Sequence, residues 1–330
     1  MFKTSKKMKF KHYNQEVKKA SKKTTLFFIT IGLLTLNDKA NSVELNIEQI
    51  DDYLISSEQQ FSDIIDKTQK KVRWHQGQIK KTEYALVYLH GFSASSQELS
   101  PTTEILSDKL KANAFYTRLA GHGRSDDAMA EATVDAWKKD TLEAYQIGQL
   151  IGHKVIIVST STGGTLATWL LNQENIPSPF ANIMVSPNYA VQSKTAWLLK
   201  SWLGLKIAKL INGDYNSFDP QSAEQSKYWT ERYPLEAVRP MLSLLDEVKE
   251  LDKSKISSPQ LLVFSPKDRV VDVSEIKSVA KQFTNSKTTL VEFIHSTDPY
   301  QHVLSGKACS NDSTEKMVDE LFGYINSLTN

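Results

Sequence analysis

The strongest chemical signal in the chain lies in Val155–Leu166. There an apolar run, VIIVS, is followed by Thr160-Ser161-Thr162-Gly163-Gly164 and then a helical pattern. A serine between a strand and a helix, with small residues two positions to either side, has the form of a nucleophile elbow. The turn is too tight for bulky side chains at the flanking positions. The usual spacing is G-x-S-x-G; Ser159 stands at the first position here and is small enough to fit. Ser161 is the candidate nucleophile, and Ser159 has a steric role.

A serine hydroxyl is a poor nucleophile unless a base takes its proton. Behind an elbow of this kind the acid and then the histidine follow on loops after later strands. The run LLVFS leads into Ser265-Pro266-Lys267-Asp268-Arg269-Val270-Val271-Asp272, where Asp268 is the first carboxylate. Asp272 is the reserve acid, with capping of the helix that starts at Val273 as its other role. The run TLVEFI leads into a loop from His295 to Leu304 in which His302 lies deeper than His295. His302 is therefore the candidate base, and His295, at the strand end, a structural histidine. A tetrahedral oxyanion also needs donors. The backbone N–H of Thr162, directly after the nucleophile, is one. The loop His90-Gly91-Phe92-Ser93 after the strand ALVYL supplies the other, the N–H of Phe92, because Gly91 lets the backbone turn inward.

Apolar strands alternate with helical patterns around these residues. Strands are expected at Ala85–Leu89, Phe115–Leu119, Val155–Ser159, Ile183–Ser186, Leu261–Ser265 and Thr289–Ile294. Helices are expected at Glu98–Asn113, Val134–Ile151, Gly164–Asn172, Val273–Phe283 and Thr314–Leu328. The alternation predicts an α/β fold, a mostly parallel sheet flanked by helices. Residues 187–258 contain helical patterns but no convincing strand, which reads as a helical cap inserted in a domain spanning 71–330. Within it the apolar, lysine-punctuated stretch Trp197–Ile211 is read as a cap helix packed on the sheet domain; lining an acyl pocket or touching a bilayer are its other uses. Residues 41–70 carry apolar positions at helical spacing and form an N-terminal helical segment.

The HGF, GHG, STSTGG, KDRVVD and QHVL segments together resemble the α/β-hydrolase superfamily. The similarity is closest to its carboxylesterase and monoacylglycerol-lipase-like branch, which Arg118-Leu119-Ala120-Gly121-His122-Gly123 and Ala136-Trp137-Lys138-Lys139-Asp140 also resemble. His122 is then a structural loop residue. Only Val72–Lys80 is available for the two strands that open the family's sheet. The resemblance implies hydrolysis of an acyl bond through Ser161, His302 and Asp268, with an acyl-enzyme and without metal or organic cofactor. The expected substrate is a small-molecule or lipid ester. A peptidase, amidase or thioesterase using the same triad is the alternative, because fold does not fix the acyl group. A non-catalytic binding protein is the reading from another class, against which the filled triad positions speak.

Composition bounds the rest. The net charge of +2 comes from residues 1–40, with ten Lys/Arg against two Asp/Glu. The remainder carries 30 Lys/Arg and 36 Asp/Glu, so the basic balance is no sign of nucleic-acid binding. No metal-ligand spacing or phosphate-binding loop is present. Cys309 is the single cysteine, so no intrachain disulfide forms. Residues 1–40 read as a basic leader whose apolar run Leu26–Leu36 is too short for a relaxed span but suits an export signal or membrane anchor. The body is then expected outside the cytoplasm or held at the membrane by that segment. A cytoplasmic location, with the run packed as a buried helix, is the alternative.

Overall fold

The computed structural model describes residues 29–31, 43–193 and 195–329. Most of the leader lies outside the described residues. Of its apolar run only Ile29–Ile31 (β1) is described, paired antiparallel with Val43–Leu45 (β2). No described helix is long and apolar enough to cross a membrane.

The helix Ile50–Glu58 (α1) then leads to Lys71–Arg73 (β3), a three-residue strand. Thr82–Leu89 (β4), Thr102–Lys109 (α2) and Asn113–Tyr116 (β5) follow. Next come Val134–Ile151 (α3), Gly152–Thr160 (β6), Thr162–Leu171 (α4) and Ala181–Val185 (β7). After the cap segment the chain closes with Gln260–Phe264 (β10), Val273–Ala280 (α8), Thr288–Glu292 (β11) and Thr314–Ser327 (α9). The cap segment itself contains Trp202–Asn212 (α5), Tyr215–Ser217 (β8), Ala223–Tyr228 (α6), Arg232–Pro234 (β9) and Val238–Glu250 (α7).

Seven strands form one sheet in the order β11-β10-β7-β6-β4-β5-β3. All pairs are parallel except β3 with β5, so the short stretch before Thr82 yields a single antiparallel edge strand. The interior of β6 is buried, as are β7 and β10 throughout, because helices cover both faces. Apolar clusters line each face. One contains Leu86, Tyr88, Ile156, Val158 and Ile183; the other contains Val87, Leu89, Ile157, Trp137 and Leu166.

Three expectations shift. The first helix begins at Thr102 rather than Glu98, since Glu98–Ser100 form a turn that sends the Glu98 side chain inward. The strand expected over Phe115–Leu119 runs instead over Asn113–Tyr116, and the chain beyond it bends into an irregular loop. The cap segment also holds a small antiparallel pair, β8 with β9.

The apolar stretch in the cap behaves differently from the packed helix expected. In α5, Trp202, Leu203, Ile207, Leu210 and Ile211 are exposed, and Leu210 reaches 87%. Its main contacts run to neighbouring cap elements.

Candidate active site

Parallel strands bring their C-terminal ends to one edge of the sheet, and the loops leaving that edge hold the candidate residues. Ser161 follows β6, Phe92 follows β4, Asp268 follows β10 and His302 follows β11. They are far apart in the sequence, and the sheet brings all four to one cleft.

Ser161 occupies the turn between β6 and α4 with φ 50° and ψ −116°, strained for any residue with a Cβ. Its backbone is pinned. Its N–H donates to the Val185 carbonyl at 3.0 Å, and its carbonyl accepts from Asn188 and Gly164 at 3.0 and 2.9 Å. The start of α4 passes so close to the end of β4 that a Cβ at Gly163 would stand 2.1 Å from the Leu89 carbonyl oxygen. Glycine is obligatory there. Ser159 fits its steric role: it is buried, and its hydroxyl donates to the Ile183 carbonyl at 3.2 Å.

His302 Nδ1 lies 2.8 Å from Asp268 Oδ2. Asp268 is buried, and its other oxygen accepts the Val270 and Val271 N–H groups at 2.8 and 3.0 Å. Burial works against charge on His302, but the hydrogen bond and charge of Asp268 outweigh it, helped by Glu98 and Asp298. The net effect lifts the imidazole above its ordinary value. Asp298, a residue that sequence reasoning passed over, shapes this loop: its Oδ2 accepts the N–H groups of His302 and Val303 at 2.8 and 2.9 Å. Asp272 instead caps α8, accepting from Ser274 N–H at 2.8 Å. His295 is exposed, 3.2 Å from Lys316 Nζ, and does not line the cleft.

The donor side is equally ordered. Leu119 N–H donates to His90 Nε2 at 3.1 Å, so the ring's proton sits on Nδ1, which donates to the Gly91 carbonyl at 2.9 Å. Burial keeps His90 neutral by lowering it well below the ordinary imidazole value. The Gly91–Phe92 peptide is trans, and a trans peptide points its N–H opposite to its C=O. Holding the Gly91 carbonyl therefore aims Phe92 N–H the other way. Neither Phe92 N–H nor Thr162 N–H donates to an acceptor among the described residues. Thr162 is free because it opens α4, where the first N–H groups have no intrahelical partner. His122 is structural, as expected: burial lowers it to about 4, and its Nδ1 lies 3.1 Å from the Ala120 carbonyl.

Ser161, His302 and Phe92 line a cleft of about 380 Å³. The cap lines it with the apolar Phe218, Trp229, Tyr233, Val238 and Met241, and with the polar Asp219, Gln221 and Gln225. Tyr233 stands edge-on to Phe92, with ring centroids 5.2 Å apart. A larger open groove of about 750 Å³ lies at Lys81, Gly152 and Phe180, by the N-terminal ends of the strands. It lies at the opposite end of the strands from the loops that carry Ser161, Asp268 and His302.

A parallel sheet with a strained serine elbow, and with acid and histidine on later loops at one edge, defines an α/β-hydrolase. The chain belongs to the hydrolase family described as serine aminopeptidase, S33, whose model matches residues 80–296. That match ends just short of His302. No curated protein sequence matches the chain. Among solved structures it is similar to one reported for LipS and LipT, two metagenome-derived lipolytic enzymes. The TM-score is 0.65 at 15% identity, over 80% of this chain and 99% of that one. A monoacylglycerol lipase of Paleococcus ferrophilus matches with a TM-score of 0.57 at 12% identity, over 79% and 99% of the two chains. A soluble variant of monoglyceride lipase from Saccharomyces cerevisiae, bound to a substrate analogue, gives 0.57 at 10% identity, over 82% and 97%. At such identities the likeness is one of fold.

Proposed function

We propose that the protein is a serine hydrolase that cleaves carboxylic esters, with short acyl or lipid-derived monoesters as its substrates. The observation that carries this reading is the 2.8 Å hydrogen bond from His302 to Asp268 in a cleft shared with the strained Ser161. Ser161 Oγ attacks the ester carbonyl while His302 Nε2 takes its proton, and Asp268 holds the ring and stabilises the imidazolium. Negative charge on the carbonyl oxygen meets the N–H groups of Phe92 and Thr162. The imidazolium then protonates the leaving alcohol. Water, deprotonated by the same imidazole, releases the acid from the acyl-enzyme. His302 must be neutral to act as base, so activity falls as pH drops through its raised value.

The apolar residues of the cap wall support an acyl chain as the recognised group, and the names of the lipolytic and lipase neighbours agree with that class. A peptidase is the second reading, favoured by the family's own description.

Fluorophosphonate labelling followed by a substrate panel tests both. The expected result is covalent labelling that Ser161→Ala abolishes, with turnover of p-nitrophenyl esters and little of aminoacyl p-nitroanilides. Loss of the nucleophile lowers turnover by roughly 10⁶-fold. Faster turnover of the anilides would replace the ester reading with the peptidase one. Labelling that survives in Ser161→Ala would move the nucleophile elsewhere.

A further inference from the structure

Glu98 is the single charged residue between Gly91 and Thr103, and it is only 2% exposed. Its Oε2 accepts the Gly91 N–H at 2.8 Å and the Tyr88 hydroxyl at 3.0 Å. A Cβ added to Gly91 would meet Glu98 Oε1 at 2.8 Å and the Ser161 Cβ at 3.1 Å, so the carboxylate and the elbow flank the same glycine. Glu98 also lines the cleft beside Ser161 and His302.

We propose that Glu98 is a positioning residue of the oxyanion site: its carboxylate fixes the turn that carries Gly91 and Phe92, and it shares the cleft with His302 as a further carboxyl group beside Asp268 and Asp298. The inference rests on the reading of Ser161 and His302 as nucleophile and base. His90 holds one side of the Gly91 residue by its carbonyl, and Glu98 holds the other by its N–H. With both fixed, the Phe92 N–H has one direction left.

A buried carboxyl group is expensive where an amide would satisfy the same N–H, and what an amide cannot supply is the ionised form. Attack by Ser161 creates an imidazolium on His302, and a nearby carboxylate favours that charge. Burial pushes Glu98 up to about 7, against the pull of its bonds to Gly91 and Tyr88 and the charge of His302. Tyr88 from β4 donates to it, and His302, from the loop after β11, lines the same cleft; the Cys309 thiol further along that loop is raised by burial, with Asp298 and Glu98 adding to it. Asp298 acts on His302 and Cys309 together with it. Burial, with Glu98 adding to it, pushes the Tyr88 phenol well up.

The test measures kcat, KM and the acid limb of kcat/KM for the full chain and for Glu98→Gln and Glu98→Ala, alongside fluorophosphonate labelling. Glu98→Ala is expected to lower kcat by about 10²-fold with KM little changed, the size of effect that follows from a misplaced oxyanion donor. Glu98→Gln keeps an acceptor for the Gly91 N–H and should recover kcat to within about tenfold of the parent. Its acid limb should move to lower pH, because His302 loses a nearby negative charge. An acid limb that stays in place in Glu98→Gln overturns the proposal, even if Glu98→Ala does not fold. So does a Glu98→Gln no better than a folded Glu98→Ala. If the parent chain itself is not labelled, the Ser161 reading falls and this one with it. A labelled parent with an unmoved limb refutes the role of Glu98 alone.

Discussion

Two parts of the chain lie outside the sheet, the segment before it around α1 and the cap segment between β7 and β10, and different forces hold them. The first is held by buried ion pairs. Arg118 donates through Nε and Nη2 to both oxygens of Glu58 at 2.9 and 2.7 Å, and through Nη1 to the His122 carbonyl at 3.1 Å. Lys70 sits between Asp140 and Glu143 at 2.7 and 2.5 Å, and Asp140 in turn accepts the Ala120 N–H at 2.7 Å. These pairs clamp the loop Arg118–Gly123, which packs through His122 against Phe92 and His90. The cap has apolar contacts at its inner wall, the half-exposed ion pair Lys200–Asp246 within it, and the pair Lys138–Glu247 tying its helix α7 to α3. One region supports the backbone behind His90 and Phe92. The other supplies a wall of the cleft, and it leaves the apolar side of α5 uncovered.

The contrast makes ranked predictions. Arg118→Ala should have the largest effect, because it leaves Glu58 as a buried carboxylate without its cation. Losses of this kind cost about 3–5 kcal/mol, read as a lower denaturant midpoint at an unchanged slope. A loss below about 1 kcal/mol would show that the N-terminal segment is no more firmly held than the cap.

Tyr233→Ala should act mainly on substrate choice. It removes the ring that meets Phe92 and opens the cleft wall, so the ratio of kcat/KM between long- and short-acyl esters should change by about tenfold. Its stability loss should stay nearer 2 kcal/mol, smaller than that of Arg118→Ala. An unchanged chain-length profile would remove Tyr233 from the specificity wall.

The smallest effect belongs to α5. Leu210→Ser replaces a side chain 87% exposed, and thermal or chemical unfolding should change by no more than about 0.5 kcal/mol. A larger loss would mean that the outward face of the cap is packed after all.

Sequence alone was enough for the fold class, and it singled out Ser161, His302 and Phe92, which line one cleft. Apolar strands at parallel-sheet spacing and a small-residue elbow are local features, visible without contacts. The helix Val134–Ile151 agrees at both ends with its periodicity. Ser161, Thr162 and Phe92 follow from their place just after a strand, and Asp268 and His302 from their place in the loops after β10 and β11, because strand ends are where a parallel sheet exposes backbone and side chains.

Other facts depended on which groups meet in space. Asp268 and Asp272 are interchangeable by type and lie four residues apart; only the packed loop turns the first to His302 and the second to the start of α8. Glu98 reads as an ordinary helix residue until the turn before α2 folds it against Gly91 and Tyr88. Arg118 and Glu58 are sixty residues apart, and nothing in either neighbourhood announces the pair. The outward face of α5 has the same apolar period as a packed helix. Periodicity shows that a helix has an apolar side, and tertiary contacts decide whether that side is covered.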